Sequence, residues 1–297
     1  MNKSFTLIEI LVVIVIIGIL SAFIIIGMAG VSEKAAIAKG QAFAGSLRNS
    51  LLINMAGEWK FEGPTAIDGD AVTDDIKDSW GGNNTGITIT GTPKIKGGNS
   101  CVSGKCLSFN GTTDTVNCGS GGTDLRVSSG SAMAVEAWVN LVDPSRLQSV
   151  VSEWTPWILF ISSSKMRFYI RSSGADYSVS SNTVLSSNQW HHIAVAYTKS
   201  DLSAAFYLNG KRDGNPAFSV TIDNPSSVLL QIGGYGNINT RLGGMVDEVR
   251  IYNTAIPISQ IQQNYYLGLN NLYKNGRLTQ TEYTQRLAEL KAGVSQE

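Results

Sequence analysis

The clearest strand pattern in the sequence is Val135-Glu136-Ala137-Trp138-Val139-Asn140-Leu141. An extended chain places alternate side chains on opposite faces, so the aliphatic residues of this stretch share one face. Glu136, Trp138 and Asn140 share the other face. This alternation is typical of a strand that turns one side toward a core.

The same period recurs along the chain on both sides of this stretch. Met166, Phe168 and Ile170 alternate with polar or aromatic residues, and another alternating run ends at the turn dipeptide Asn209-Gly210. Strands separated by turn residues, without amphipathic helices between them, predict an antiparallel β-sandwich or jelly roll over residues 57–256. The mainly β pattern argues against a parallel α/β architecture.

A long helix is predicted before the sandwich, over residues 5–56. Residues 5–26 are almost entirely apolar, and this length crosses a hydrocarbon core of roughly 30 Å. Residues 32–56 continue with an amphipathic helical period. Glu9 lies inside the apolar run, where an unpaired carboxylate costs about 2.5 kcal/mol or more, so a cationic partner is expected.

The start of the chain, Lys3-Ser4-Phe5-Thr6-Leu7-Ile8-Glu9, resembles the prepilin signal of type IV pilins and pseudopilins. The resemblance implies that a prepilin peptidase removes residues 1–4 by cutting between Ser4 and Phe5. It also implies a methylated Phe5 amino group that pairs with Glu9 of a neighbouring subunit. The family usually has glycine before the cut, where this chain has Ser4, and its helix-kinking proline is missing. The alternative is an uncleaved signal anchor.

The predicted sandwich resembles the laminin-G-like domains of the concanavalin A-like superfamily. The matching stretches, in family order, include Leu107-Ser108-Phe109-Asn110-Gly111, Gln189-Trp190-His191-His192-Ile193 and Gly244-Met245-Val246-Asp247-Glu248. The resemblance implies adhesion or binding of carbohydrate or surface-protein ligands, often with a calcium ion.

Calcium is the cofactor that this resemblance implies. Alternation groups Asp247 with Met245, Val249 and Ile251, which predicts a carboxylate on an apolar side. In related jelly rolls, calcium ties an early loop to the final strand, and the corresponding ligand set is Asp78, Asn83, Asn84 and Asp247. The alternative is that Asp247 accepts backbone hydrogen bonds while Asp78 and Asn83 form a turn.

The three cysteines, Cys101, Cys106 and Cys118, predict one disulfide in an oxidising compartment. If Phe109 pairs with Thr115 across a turn, Cys106 lies opposite Cys118. A bridge between Cys101 and Cys106 competes with that pairing, and the sequence leaves both open.

Aromatic and arginine side chains are the candidates for a ligand surface, since aromatic faces stack on sugars and arginines bind acidic groups. The candidates are Trp154, Trp157, Tyr235, Arg167, Tyr169, Arg171 and Tyr177. The two histidines, His191 and His192, are adjacent and point to opposite faces of a strand, which favours structural roles. Glu136, Glu153, Asp247 and Glu248 are the best carboxylates for a glycosidase, but the flanking pattern is absent, and we predict no enzyme.

Residues 257–297 predict a helical hairpin, broken at Gly276 and restarted by the capping box Thr279-x-x-Glu282. Docking on the sandwich is the default expectation, with a neighbouring subunit as the alternative.

The formal charge of zero argues against nucleic-acid binding. The leading hypothesis is a pilin-like or pseudopilin-like subunit that displays a binding domain. Its precursor would lie in the cytoplasmic membrane with the domain outside, and the assembled form at the cell surface or in a pilus. Its partners would be other pilin-like subunits. The alternatives are a membrane-anchored structural component that does not polymerise and, third, a surface glycan hydrolase.

Overall fold

The computed structural model describes residues 54–63, 68–72, 76, 78–80, 87–119, 131–153, 156–223, 229–236 and 238–294. The predicted leader and almost all of the predicted N-terminal helix lie outside these residues. At the end of that helix the prediction was wrong, because Met55 and Ala56 belong to a strand. Contacts group Leu51–Glu297 into one compact unit. Within the described part of the chain, no helix is long and apolar enough to cross a membrane.

The described strands follow one another as short extended segments joined by turns. In chain order they are β1 (Met55–Trp59), β2 (Ile87–Thr90), β3 (Lys94–Gly97), β4 (Lys105–Asn110), β5 (Thr115–Cys118), β6 (Ala132–Leu141), β7 (Gln148–Glu153), β8 (Trp157–Ser162), β9 (Lys165–Ser172), β10 (Ala175–Ser180), β11 (Trp190–Thr198), β12 (Ser203–Leu208), β13 (Lys211–Arg212), β14 (Leu230–Ile232) and β15 (Gly243–Tyr252).

These strands form two antiparallel sheets, as predicted for a sandwich. The first sheet has the order β13-β12-β11-β6-β15-β4-β3, with β1 also paired to β15. The second has the order β10-β9-β8-β7-β14-β5-β2. Neighbours in the sheets are often distant in sequence, which is the connectivity of a jelly-roll-like fold.

The core lies between the two sheets and follows the predicted alternation. Val135, Ala137 and Val139 point into it from β6, and Phe168 enters it from β9. Glu136 and Trp138 point to the outer face of the first sheet, where they are also buried. The first sheet is therefore buried on both faces, which requires a further layer outside the sandwich.

A β-bulge in β15 changes the predicted faces of the final strand. The register of β15 against β6 shifts between Asp247 and Arg250, and Glu248 has a φ of 49°. Val246 and Val249 both point into the core, whereas Asp247 points to the outer face. The predicted grouping of Asp247 with Val249 was therefore wrong, because a bulge inserts an extra residue and reverses the alternation beyond it.

The predicted helical hairpin supplies the outer layer of the first sheet. It consists of α1 (Ile258–Lys274) and α2 (Gln280–Val294). Gly268 of α1 lies so close to Trp138 that a Cβ atom would be 2.4 Å from the indole ring. Glu282 Oε2 accepts hydrogen bonds from the Thr279 N–H and hydroxyl, which confirms the predicted capping box. The hairpin docks on the sandwich, as expected by default.

The disulfide joins Cys101 to Cys106, whose Cα atoms are 5.5 Å apart, and Cys118 is buried with a free thiol. The alternative pairing of Cys106 with Cys118 fails because its assumption fails. Phe109 and Thr115 do not face each other in a hairpin, since β4 belongs to the first sheet and β5 to the second.

Removing this disulfide by changing both Cys101 and Cys106 to alanine is expected to lower the free energy of unfolding by about 2 kcal/mol. A short loop loses little entropy on closure, so the effect is at the low end for native disulfides. Urea unfolding measures the loss, and dithiothreitol should weaken the wild-type chain without affecting the double variant. Equal stability of the wild-type chain in both redox states would contradict the prediction.

Candidate functional site

Several predicted site residues lie outside the described part of the chain. They are Ser4, Phe5, Glu9, Asn83, Asn84 and Trp154. Their roles in processing, subunit assembly, calcium binding and ligand binding stay predictions.

Asp247, predicted as a calcium ligand, accepts backbone hydrogen bonds at both carboxylate oxygens. Its side chain is 0% exposed. Its Oδ2 atom accepts the N–H groups of Val102 and Ser103 at 2.9 Å, and its Oδ1 atom accepts the Glu248 N–H at 2.8 Å. These three donors take most of the roughly four acceptor sites of a carboxylate. Burial, followed by the Glu248 charge, raises the pKa of Asp247. The alternative reading, backbone hydrogen bonds to Asp247, describes its observed contacts.

Asp78 also accepts backbone hydrogen bonds. Its Oδ1 atom accepts the Glu58 N–H at 2.9 Å and the Trp80 N–H at 3.0 Å. The bond to Trp80, two residues further on, is an Asx turn. Because Asn83 and Asn84 lie outside the described residues, calcium binding as such stays a prediction.

Two aromatic candidates for the ligand surface contact the core between the sheets. Trp157 is 0% exposed, packs in the core against Phe168, and donates its indole N–H to Glu153. Tyr177 packs against the edge of the same core. A buried ring cannot stack on a sugar, so the assignment of Trp157 to a ligand surface was wrong.

A buried ion network lies beneath α1 on the outer face of the first sheet. Its members are Glu58, Glu136, His192, Glu248 and Arg250. Arg250 Nε lies 2.7 Å from Glu58 Oε1, and Arg250 Nη1 lies 3.4 Å from Glu136 Oε1. Arg250 Nη2 also donates to Glu248, and His192 Nε2 lies 3.3 Å from Glu136 Oε2.

Helix α1 covers this network and contacts it. Asn264 Nδ2 donates to Glu136 Oε1 at 2.6 Å, and the Tyr252 hydroxyl donates to the same oxygen at 3.0 Å. Burial acts to raise the pKa of Glu136, but the hydrogen bond and charge of His192 and the charge of Arg250 outweigh it and lower the pKa. Glu136 therefore ties the hairpin to the sheet as a carboxylate and does not face a groove.

His191 and His192 occupy opposite faces of β11, as predicted. His192 is in the ion network, and His191 Nε2 lies 3.0 Å from the Ser186 hydroxyl. Burial lowers the pKa of His191 to about 4, so this imidazole is neutral at physiological pH. Both side chains make structural contacts within the described residues.

The predicted ligand-surface residues that stay partly exposed come together on the outer face of the second sheet. We call this region the Tyr169 surface, and it consists of Phe160, Arg167, Tyr169, Arg171, Asp176 and Tyr235. Adjacent strands β8, β9 and β10 supply all of these except Tyr235, which follows β14.

Cross-strand contacts hold the Tyr169 surface in place. Arg171 pairs with Asp176 across β9 and β10, with 3.5 Å between Nη1 and Oδ1, and the Tyr169 hydroxyl donates to the same oxygen. The Arg167 guanidinium lies 5.6 Å from the centroid of the Phe160 ring, within the range of a cation–π contact.

The phenol groups of this surface remain protonated at neutral pH. Burial and the hydrogen bond to Asp176 raise the pKa of Tyr169. Burial also raises the pKa of Tyr235, while the nearby Arg171 charge acts in the opposite direction. The surface thus combines aromatic faces, hydroxyl donors and guanidinium groups, which is the set of groups that sugars bind to.

Sequence reasoning missed Phe160 and Asp176. The missing signal was the register of the β9–β10 hairpin, whose turn contains Ser173 and Gly174 with φ values of 50° and 80°. A Ser-Gly pair between two alternating runs is a hairpin signal, and it would have placed Asp176 opposite Arg171.

Comparison with known families finds two matches. Residues 110–262, slightly more than half of the chain, match the concanavalin A-like lectin/glucanases superfamily. Residues 1–25 match the prokaryotic N-terminal methylation motif. The comparison with curated proteins finds no sequence match.

Solved structures share the fold at low sequence identity. The binding domain of Paraclostridial Mosquitocidal Protein 1 has a TM-score of 0.57 at 16% identity, over 74% of this chain and 53% of that chain. Domain 4 of the extracellular arabinanase AbnA from Geobacillus stearothermophilus, solved with arabinotriose, has a TM-score of 0.53 at 17% identity. This match covers 70% of this chain and 97% of that chain. The receptor binding domain of botulinum neurotoxin mosaic serotype C/D has a TM-score of 0.52 at 11% identity. This match covers 72% of this chain and 51% of that chain. The matched region thus spans about half the length of the first and third of these chains.

Proposed function

Since the chain belongs to the concanavalin A-like lectin/glucanase superfamily and begins with a prokaryotic N-terminal methylation motif, we propose that it is a type IV pilin-like subunit displaying a carbohydrate-binding domain. In this proposal, the N-terminal segment anchors the precursor in the membrane and joins other subunits after processing. The compact unit Leu51–Glu297 is the part presented outside the cell.

The Tyr169 surface is the observation that carries the binding role. The helical hairpin covers the first sheet, whereas Tyr169, Arg167 and Arg171 on the second sheet are partly exposed. Aromatic and arginine side chains at one exposed site favour recognition of a sugar ring with polar or acidic substituents. Tyr235, predicted from the sequence as a ligand residue, belongs to this surface.

The similar structures support binding in preference to catalysis. Two are named as a binding domain and a receptor binding domain, and the third, a domain of an arabinanase, was solved with an arabinose oligosaccharide. In this chain the predicted glycosidase carboxylates Glu136, Glu153 and Asp247 are 0% exposed, so none of them can reach a glycan at the surface.

Glycan-array binding of the purified chain tests the proposal. We expect at least one bound glycan class, and we expect Arg171→Ala and Tyr235→Ala each to weaken its binding about tenfold by removing a charge-assisted or stacking contact. Arg212→Ala is the matched control, because Arg212 is exposed on β13 of the first sheet and should leave binding unchanged.

An array without any bound glycan would contradict carbohydrate binding and would leave a surface protein as the ligand to be sought. Glycan binding that survives both variants would instead move the site away from the Tyr169 surface. Thermal melting of each variant checks that the fold is retained.

A further inference from the structure

A cavity of about 200 Å³ lies where the helical hairpin meets the edge loops of the first sheet. Its walls include Asn140 near the end of β6, Trp190 at the start of β11, and Arg277, Leu278 and Arg286 of the hairpin region. The hairpin packs on the first sheet, so this cavity lies on the opposite side of the sandwich from the Tyr169 surface. It is therefore a separate candidate site, and it is independent of the function proposed above.

The charged groups of the cavity favour an anion. Arg277 is exposed, and its guanidinium makes no hydrogen bond or ion pair with the residues that the structure describes. Arg286 Nη1 donates to the Trp190 carbonyl oxygen at 3.4 Å, which fixes the second guanidinium at the wall. The wall also contains the carboxylate of Glu282, whose Oε2 atom accepts the Thr279 N–H and hydroxyl at 2.8 Å, so two guanidinium groups face one carboxylate and leave an excess of positive charge.

Asn140 adds an observation that does not depend on charge. It is only 6% exposed and lines the cavity, yet its side-chain amide has no hydrogen-bond partner among the described residues. The amide atoms themselves are not among the fully buried polar atoms of the described residues, so they open into the cavity. The cavity is the place from which a partner for this amide can come.

Apolar side chains and the volume limit what can fill the cavity. Leu272 and Leu278 line the cavity beside Trp190. The Trp190 indole N–H donates a hydrogen bond to the Ser100 carbonyl oxygen at 3.1 Å. Pockets for drug-sized ligands have volumes of about 300–1,000 Å³, so this smaller cavity fits a single small ring. A carboxylate matches the planar guanidinium groups better than a spherical anion does.

We propose that this cavity binds a small carboxylate ligand of the size of one acidic sugar. Arg277 and Arg286 contact the carboxylate, Asn140 hydrogen-bonds a hydroxyl group, and Trp190 with the two leucines covers the apolar side of the ring. The hairpin therefore supplies the charged half of a binding site whose other half belongs to the sandwich.

Isothermal titration of the full-length chain in detergent with sodium D-glucuronate tests this inference. We expect saturable binding, with D-glucose bound at least about tenfold more weakly because it lacks the carboxylate. Arg277→Ala should weaken glucuronate binding about tenfold or more, and Arg277→Lys should retain part of it. Lys274→Ala is the matched control, an exposed cation at the end of α1 that does not line the cavity.

The variants also separate this site from the Tyr169 surface. Arg171→Ala should leave glucuronate binding unchanged, and Arg277→Ala should leave glycan-array binding through the Tyr169 surface unchanged. Asn140→Ala, checked for folding by thermal melting, should weaken glucuronate binding as well. Absence of glucuronate binding, equal binding of glucose, or equal binding of inorganic phosphate would each overturn the assignment, as would unchanged binding in Arg277→Ala.

Discussion

Replacing Arg250 with alanine is expected to lower the free energy of unfolding by about 3–5 kcal/mol, because it leaves buried carboxylates without their cation. Arg250 contacts Glu58, Glu136 and Glu248, whose side chains are only 4%, 0% and 12% exposed. Urea unfolding of a chain that starts at residue 51 measures the loss. Circular dichroism should also report earlier melting of the helical hairpin, which Glu136 holds through Asn264.

A surface ion pair provides the control for this prediction. Lys211 and Glu289 are 3.2 Å apart, with side chains that are 40% and 47% exposed. Lys211→Ala should change stability by no more than about 1 kcal/mol, because solvent screens exposed pairs. A similar loss of stability in both variants would contradict the prediction, because the buried network would then contribute no more than an exposed ion pair.

The ion network also predicts how stability depends on pH. The pKa of Glu136 is lowered from its ordinary value of 4.5, and that of Glu58 is lowered by its contacts with Arg250 and Lys60 although burial opposes the shift. A lowered folded-state pKa gives stability that is present above about pH 4.5 and is lost as the pH falls through the folded-state pKa. Glu136→Gln should therefore show a shallower loss of stability between neutral and acidic pH than the wild-type chain.

Replacing Glu9 with alanine is expected to reduce the amount of the protein in the sheared cell-surface fraction by about tenfold or more. The proposed function requires that this carboxylate pairs with the Phe5 amino group of a neighbouring subunit. A carboxylate in an apolar segment costs about 2.5 kcal/mol or more unless a cation accompanies it. Pairing Glu9 with the Phe5 amino group of a neighbouring subunit should therefore stabilise the assembled state. Immunoblotting of the sheared and membrane fractions measures the effect.

Glu33→Ala is the control for Glu9, since Glu33 follows the apolar segment and should leave assembly unchanged. N-terminal sequencing of the surface fraction should give a methylated Phe5, and Ser4→Gly should speed processing by restoring the usual residue of the family. Normal assembly of the Glu9 variant, or an intact Met1 at the surface, would favour the alternative of an anchored component that does not polymerise.

Short-range patterns predicted the larger part of the described fold. The alternation in β6 and β9 identified the residues that face the core, and the Thr279 and Glu282 pair identified the start of α2. These predictions were confirmed because each depends on a period or a cap within a few neighbouring residues. The resemblances to the methylation motif and to the laminin-G-like family were also confirmed by the family comparisons.

Predictions that depended on strand pairing were less successful. The predicted position of Asp247 was wrong because no local sequence pattern indicates the bulge at Glu248. Trp157 was assigned to the surface although it fills the core, since an aromatic residue suits both places. The choice between two disulfides depended on which sheet receives β5, and pairing between distant strands decides that.

The sequence alone established an antiparallel sandwich with a pilin-like start and a helical hairpin at the end, because period, turns and caps are properties of neighbouring residues. Tertiary contacts decided which side chains share a site. Burial of the first sheet beneath the hairpin directs Glu136 and Arg250 into an ion network, and strand register collects the Tyr169 surface on the opposite side. Such sites join residues far apart in the chain, and only packing brings them within contact distance.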